Sequence, residues 1–571
     1  MKQFIFILAI SFSIYAKAQN PLAIPPTLTG TIFNLTVQSG SQSFYTGTTT
    51  PTFGINGTWM APTIVVNKGD SITLNVTDNL TVKTTMHWHG LHVAPQNDGG
   101  PHQIILPSHT WSPSFKIKNN ASTYWYHPHG AGQTDPQVSK GLVGFFIVHD
   151  ANELALNIPH TYGVDDIPLA FQSKEFDVLQ QIAIAGEMDT ALFVNGTLNP
   201  TFDAHAQVIR FRLLNGSSLR SYNFGFSNGQ TFYQIATDGG LLDTSVTLTR
   251  LRLSPGERAE ILVNFTGMQG QNLDLKSFAS EMINGIYGAD SVGTGIDSIA
   301  EYHNNFLNGA DFSLLKINVI APTATPINTI PNSLVSYTPF NIANVTKNRT
   351  VIFDTIRLLP ADAPNRAEGP FGMNNKSFDM DSINEIVYLN TTEVWTLVNK
   401  TLVAHPFHIH DIQFNVIEKS GMPPTASERG WKDVILVMPL DSVKFITKFE
   451  DFSNDSIPYM YHCHLLHHED DGMMGSFLVL EYPLSTVDVS SENNFSIYPN
   501  PSSNYWIVKA NDNSEISNYK LSTIDGRSIN YISSDKNRSK LIIQNSALPN
   551  GQYILTIHSK NSSQTFKLIK D

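Results

Sequence analysis

Cysteine is almost absent from this chain: its 571 residues include one, Cys463. No internal disulfide can form. Charge is scarce as well, at 15% of residues, with 36 Lys and Arg against 49 Asp and Glu for a formal net charge of -13. Such a surface offers no basic face to follow a phosphate backbone, which excludes nucleic acid as a partner. Long helical patterns are scarce, and no segment approaches the roughly 20 consecutive apolar residues of a membrane span, so the mature protein is expected to be soluble. A chain of this length is also too long for one core and implies several domains.

The most apolar stretch is the start. Lys2 precedes the run Phe4 to Ile14, and Ala16-Lys17-Ala18 follows it. This order of charge, apolar run and small residues reads as a secretory signal over 1–18, cleaved after Ala18. Exported proteins ordinarily spend cysteines on disulfides, yet the lone thiol stands in the most histidine-dense part of the sequence. It is therefore either buried and inert or protected as a metal thiolate.

What the chain has in abundance is two-residue alternation broken by Gly, Asn, Asp and Pro, as in Ser71-Ile72-Thr73-Leu74-Asn75-Val76-Thr77 and Ile209-Arg210-Phe211-Arg212-Leu213. Short strands with regular turns argue for an all-β fold of sandwiches or barrels. An internal repeat sharpens this reading. Ile64-Val65-Val66-Asn67 leading to Ile72-Thr73-Leu74-Asn75 has a counterpart in Ile386-Val387-Tyr388-Leu389-Asn390 leading to Val394-Trp395-Thr396-Leu397. The copies also end alike, with Gly141-Leu142-Val143-Gly144 matching Gly472-Met473-Met474-Gly475. Two related domains therefore lie at roughly 20–150 and 335–483. The segment between them carries the turn Ser254-Pro255-Gly256-Glu257-Arg258 but no paired histidines, and reads as a metal-free spacer domain. Residues 484–494 are a linker by composition, and a small β-rich tail follows.

Four short motifs hold most of the 19 histidines: His87-Trp88-His89-Gly90, His127-Pro128-His129, His405-Pro406-Phe407-His408-Ile409-His410, and His462-Cys463-His464-Leu465-Leu466-His467-His468. Residues two apart on a strand face one side, so each His-x-His pair sends two imidazoles to one place. A lone pair is more often structural, or a stray zinc site. Four pairs are not, because zinc needs only four ligands and these supply more, implying several metal ions. His405, Cys463 and His468, with Met473 five residues on, offer two imidazoles, a thiolate and a thioether, the donor set of a blue-copper site. Ordinary core packing is the competing reading for Met473.

On these four motifs, in this order, the chain over about 25–483 resembles the multicopper oxidase family, in particular its three-domain bacterial branch of laccases, bilirubin oxidases and cuprous oxidases. The resemblance implies three consecutive cupredoxin-like Greek-key β-domains, at 20–155, 156–325 and 335–483, the middle one without copper. It implies four copper ions: one type 1 on His405, Cys463, His468 and Met473; one type 2 on His87 and His408; and a type 3 pair on His89, His127, His129, His410, His462 and His464. Asp98 and Glu469 match acidic positions that the family uses to relay protons, although a turn-capping Asp and a solvated Glu would be their ordinary readings. Dioxygen and a reductant are the implied partners, and a monomer is expected.

Relatives take the reductant beside the type 1 site, usually near an exposed ligand histidine. Cuprous oxidases of the family place methionines and acidic residues there. Here Thr401-Leu402-Val403-Ala404 offers neither, and 340–385 holds only Met373 and Met380. That favours a small aromatic reductant such as a phenol over Cu(I). A copper-free scaffold of the kind that serves in bacterial cell division is disfavoured by the intact ligand set. Finally, Phe495-Ser496-Ile497-Tyr498-Pro499-Asn500-Pro501, Leu548-Pro549-Asn550-Gly551 and the closing Phe566-Lys567-Leu568-Ile569-Lys570 resemble the C-terminal sorting domain of type IX secretion over 495–571, a small β-sandwich. This implies the outer-membrane type IX machinery as a partner, and a secreted or cell-surface location reached through the periplasm.

Overall fold

The computed structural model describes residues 20–184, 188–291, 305–356, 371–481, 495–511, 515–524, 527–529, 533–537, 539–559 and 563–571. The signal segment 1–18 and the linker 484–494 lie outside the described residues. The chain divides into two compact units, Met1–Glu481 and Tyr482–Asp571.

The alternating runs form strands throughout the larger unit, and its α-helices among the described residues are single turns such as Thr134–Ser139 and Leu466–Asp470. Three β-domains follow one another, each with sheets closing on an apolar core. In the first, one sheet runs Thr27–Thr29, Thr63–Asn67, Gly144–His149, Ser122–His127, His87–His89. In the third, the corresponding sheet runs Glu385–Tyr388, Met474–Leu480, Tyr459–Cys463, His405–Ile409, Val434–Val437. The histidine-bearing strands are thus paired with each other in both domains, His87 opposite His127 and His408 opposite His462.

The repeat has a packing reason at its matched glycines. Tyr126 lies opposite Gly144, and Tyr461 opposite Gly475. Each tyrosine ring covers its glycine so closely that a β-carbon there would overlap the ring. Both rings are buried. The residue after each tyrosine, His127 or His462, opens a histidine motif, so the Tyr–Gly pair anchors the strand that delivers it.

The middle domain has a six-stranded and an eight-stranded sheet. Its strand Val208–Asn215 is buried along its full length, and Arg210 and Arg212 on it share Glu260, which also accepts from Thr123 of the first domain. The strand Asn20–Pro21 pairs with Pro200–His205, so the first residues of the range expected for domain one sit on the sheet of domain two. The smaller unit, taken by itself, has a four-stranded and a three-stranded sheet around a core that includes Trp506, Leu541, Leu555 and Leu568.

Gly144→Ala and Gly475→Ala are each expected to destabilise the protein by about 1–3 kcal/mol through overpacking, read as a lowered thermal midpoint. Midpoints equal to that of the parent protein would show that the rings can yield.

Candidate metal centres

Strand alternation sorts the donors into two sets. Cys463 stands opposite Phe407, so it shares a face with Phe407 and, two residues on, with His405. That face looks into the core of the third domain, where Cys463 and Met473 are buried together. His462 stands opposite His408 and faces the other way, toward the histidines of the first domain. Neighbours in the chain therefore serve two different places.

On the inner face, Cys463 Sγ lies 3.4 Å from His405 Nδ1 and 3.8 Å from His468 Nδ1, and the two nitrogens are 3.3 Å apart. On the outer face, three groups converge between the first and third domains. His89 Nδ1 lies 3.4 Å from His127 Nε2 and 3.3 Å from His464 Nε2. The Nε2 atoms of His129, His410 and His462 lie 3.1–3.4 Å from one another. His87 and His408 belong to a third cluster, and the Nε2 atom of each is buried with no hydrogen-bond partner. All twelve residues singled out as ligands from the sequence are buried.

The outward nitrogens decide what can lie between the inward ones. His87 Nδ1 lies 2.9 Å from the Asp98 carbonyl, His127 Nδ1 2.8 Å from that of Pro128, His408 Nδ1 2.8 Å from that of Asp433, and His462 Nδ1 3.0 Å from that of Cys463. A carbonyl only accepts, so each of these nitrogens carries the ring proton and donates. Burial, reinforced by neighbouring histidines, holds His89, His127, His408 and His410 well below the usual imidazole range, and His129 and His464 are brought down to about 3. These six rings are held neutral, and the inward nitrogens of the cluster aim bare lone pairs at one another. That arrangement repels unless a cation sits among them. Nitrogens bound at about 2.0–2.1 Å to one metal ion would stand roughly 3.3–3.6 Å apart, close to the observed spacing. The donor sets fit metal ions.

Both acidic residues singled out from the sequence lie against the cluster, and neither is solvated. Asp98 Oδ2 accepts from His410 Nδ1 at 2.7 Å. Glu469 lies 3.1 Å from His462 Nδ1 and 3.5 Å from His129 Nδ1, and accepts from Thr134 Oγ1 at 2.7 Å. His467, outside the ligand set, faces Asp471.

The expectation of an exposed ligand histidine does not hold at the Cys463 site. His405 and His468 are both buried. Thr401 Oγ1, which gives its own proton to Asn399, accepts from His405 Nε2 at 2.8 Å, and the Tyr287 hydroxyl lies 3.0 Å from His468 Nε2. Tyr287 comes from the middle domain, and no spacing in the sequence pointed to it. The same is true of Asp433, whose carboxylate lies 3.2 Å from His89 Nε2 while its carbonyl receives His408.

Family models described as multicopper oxidase match residues 36–153 and 338–482, and one described as secretion system C-terminal sorting domain matches 496–571. Multicopper oxidase mco of Staphylococcus haemolyticus is 32% identical over 78% of this chain and 88% of its own length. Cell division protein FtsP of Shigella dysenteriae is 30% identical over 82% and 94%. A laccase-like multicopper oxidase from Ochrobactrum sp., described as active towards lignin model compounds and lignosulfonate, is 32% identical, with a TM-score of 0.70 over 81% of this chain and all of that one.

Because His89, His127, His408 and His410 titrate well below their unfolded value of 6.5, and His129 and His464 at about 3, acid favours the unfolded state, which binds protons that the native state refuses. Metal-free protein is therefore expected to lose stability steadily as pH falls below about 6.5, measured as the thermal midpoint against pH. A midpoint that stays flat down to pH about 4 would contradict the neutral, buried state of these rings.

Proposed function

Because the chain belongs to the multicopper oxidase family, we propose that it couples one-electron oxidation of small aromatic reductants to the four-electron, four-proton reduction of dioxygen to water. The observation that carries this reading is the convergence of bare imidazole nitrogens in three groups, one residue along the chain from a separate Cys–His–His group. On this reading His405, Cys463, His468 and Met473 would hold the type 1 copper. His87 and His408 would hold type 2. His89, His127 and His464 would hold one ion of the type 3 pair, and His129, His410 and His462 the other. Bound copper would supply the one-electron chemistry and the place where dioxygen is reduced.

The chain's own residues supply the rest. Cys463 and its neighbours His462 and His464 join the two donor sets through two residues of backbone, so the link between them needs no moving part. Asp98 and Glu469 stand where each can hold a proton beside the cluster and pass it inward. Thr401 and Tyr287 put neutral hydroxyls, not carboxylates or thioethers, at the outer nitrogens of the type 1 histidines. This supports an aromatic donor over Cu(I), in keeping with the activity described for the Ochrobactrum relative. The tail at 496–571 supports export by type IX secretion, which would place the oxidase at or beyond the cell surface.

Cys463→Ser is expected to remove both the blue colour and turnover, and Asp98→Asn to slow oxygen uptake while leaving the colour. A blue Cys463→Ser protein would overturn the ligand assignment. The deciding measurement is oxygen uptake by copper-loaded protein with a dimethoxyphenol or with Cu(I) as sole donor. Faster uptake with the phenol is expected, preference for Cu(I) would make the chain a cuprous oxidase, and no uptake with either would favour the non-catalytic scaffold reading.

A further inference from the structure

The middle domain carries none of the donors, yet its turn Ser254-Pro255-Gly256-Glu257-Arg258 reaches the histidine cluster. Gly256 adopts a left-handed φ of +83°, and a β-carbon there would stand 2.8 Å from the His464 ring. Two residues on, the Arg258 guanidinium grips both carboxylate oxygens of Asp433, with Nη2 donating to Oδ2 at 2.6 Å. Its Nε donates to the carbonyl of Thr123 in the first domain at 3.1 Å, and Nη2 also donates to the carbonyl of Asp238 at 3.0 Å. One buried side chain thus holds all three domains together at the point where the histidines meet.

The partner of this guanidinium is unusual. Asp433 is fully buried and touches two histidines, its carboxylate at His89 Nε2 and its carbonyl at His408 Nδ1. His89 is the exception among the type 3 donors in presenting Nδ1 inward, where His127, His129, His410, His462 and His464 present Nε2. That reversal needs an acceptor at Nε2, and Asp433 is the acceptor there. A buried carboxylate with no cation is strongly disfavoured, and bidentate pairing with a guanidinium fixes its plane as well as its charge.

We infer that Arg258 is a positioning residue of the trinuclear site, holding Asp433 so that His89 and His408 present the correct ring nitrogens to the metal ions. The inference rests on the trinuclear reading proposed above. Its mechanism is that of outer partners of metal-bound histidines generally, which fix tautomer and ring orientation and whose loss typically weakens metal binding by about 10–100-fold.

The test uses the full chain loaded with copper, challenged with a graded chelator, and followed by copper per chain, the blue absorption band and the electron paramagnetic resonance of the type 2 ion. Arg258→Gln is expected to keep the blue band while trinuclear copper is lost at about 10–100-fold lower chelator, with an altered type 2 signal. Arg258→Lys should restore part of this, since it keeps the charge but not the fork. Should Arg258→Gln fail to fold, Asp433→Asn decides, because it keeps the side-chain size and the carbonyl at His408. Copper retention and a type 2 signal equal to the parent's would overturn the inference. So would loss of the blue band in step with trinuclear copper, the mark of a merely structural joint. Parent protein that binds no copper would instead overturn the metal reading itself.

Discussion

Two antiparallel strand pairs govern this molecule: His87–His89 against Ser122–His127, and His405–Ile409 against Tyr459–Cys463. Because side chains alternate across a strand, a single segment, 462–464, serves a core on one side and a domain interface on the other. The thiolate group and the imidazole groups then need no loop or hinge to bring them near. They are near because they are consecutive. The constraint is severe, since a slip of one residue in the second pair would exchange the two sets of donors, and in the first would turn its histidines away from the interface.

The interface that results is a costly one. The described site gathers imidazoles whose inner nitrogens face one another across 3.1–3.4 Å, a packing that neutral rings tolerate only around a cation. Folding of the large unit and metal binding are therefore linked: ions that bind the closed site and not the open chain add to its stability. The carboxylates and carbonyls around the rim do the complementary work of fixing tautomers, and they come from all along the chain: Asp98, Asp433, Glu469 and the main chain of Pro128 and Cys463.

Much of this was legible before any coordinates. The four histidine motifs and the lone Cys463 are local patterns, and strand periodicity alone says that paired histidines share a face, whereas Asp98 and Glu469 stood out only through the family resemblance, their local setting suggesting a turn cap and a solvated side chain. The matched ends of the repeat likewise marked the equivalent strands, although the reason for Gly144 and Gly475 became visible only with the tyrosine rings across them. What the sequence did not disclose is long-range and carries no spacing. Tyr287 and Asp433 reach the site by tertiary packing, and the turn at 254–258 looked like an ordinary connection in a domain without donors. The expected exposed histidine was missing for the same reason: exposure is a property of what folds over a residue, here partly the middle domain.

That covering has an electrochemical consequence. On the function proposed above, with a threonine hydroxyl at His405 and a phenol at His468, an arriving reductant would find both outer nitrogens already partnered among the described residues. Its electron would then have to tunnel through protein, a step that depends on distance and driving force and very little on molecular shape. An entrance of that kind would sort donors by potential, so the range of compounds it accepts would be set less by a pocket than by a voltage.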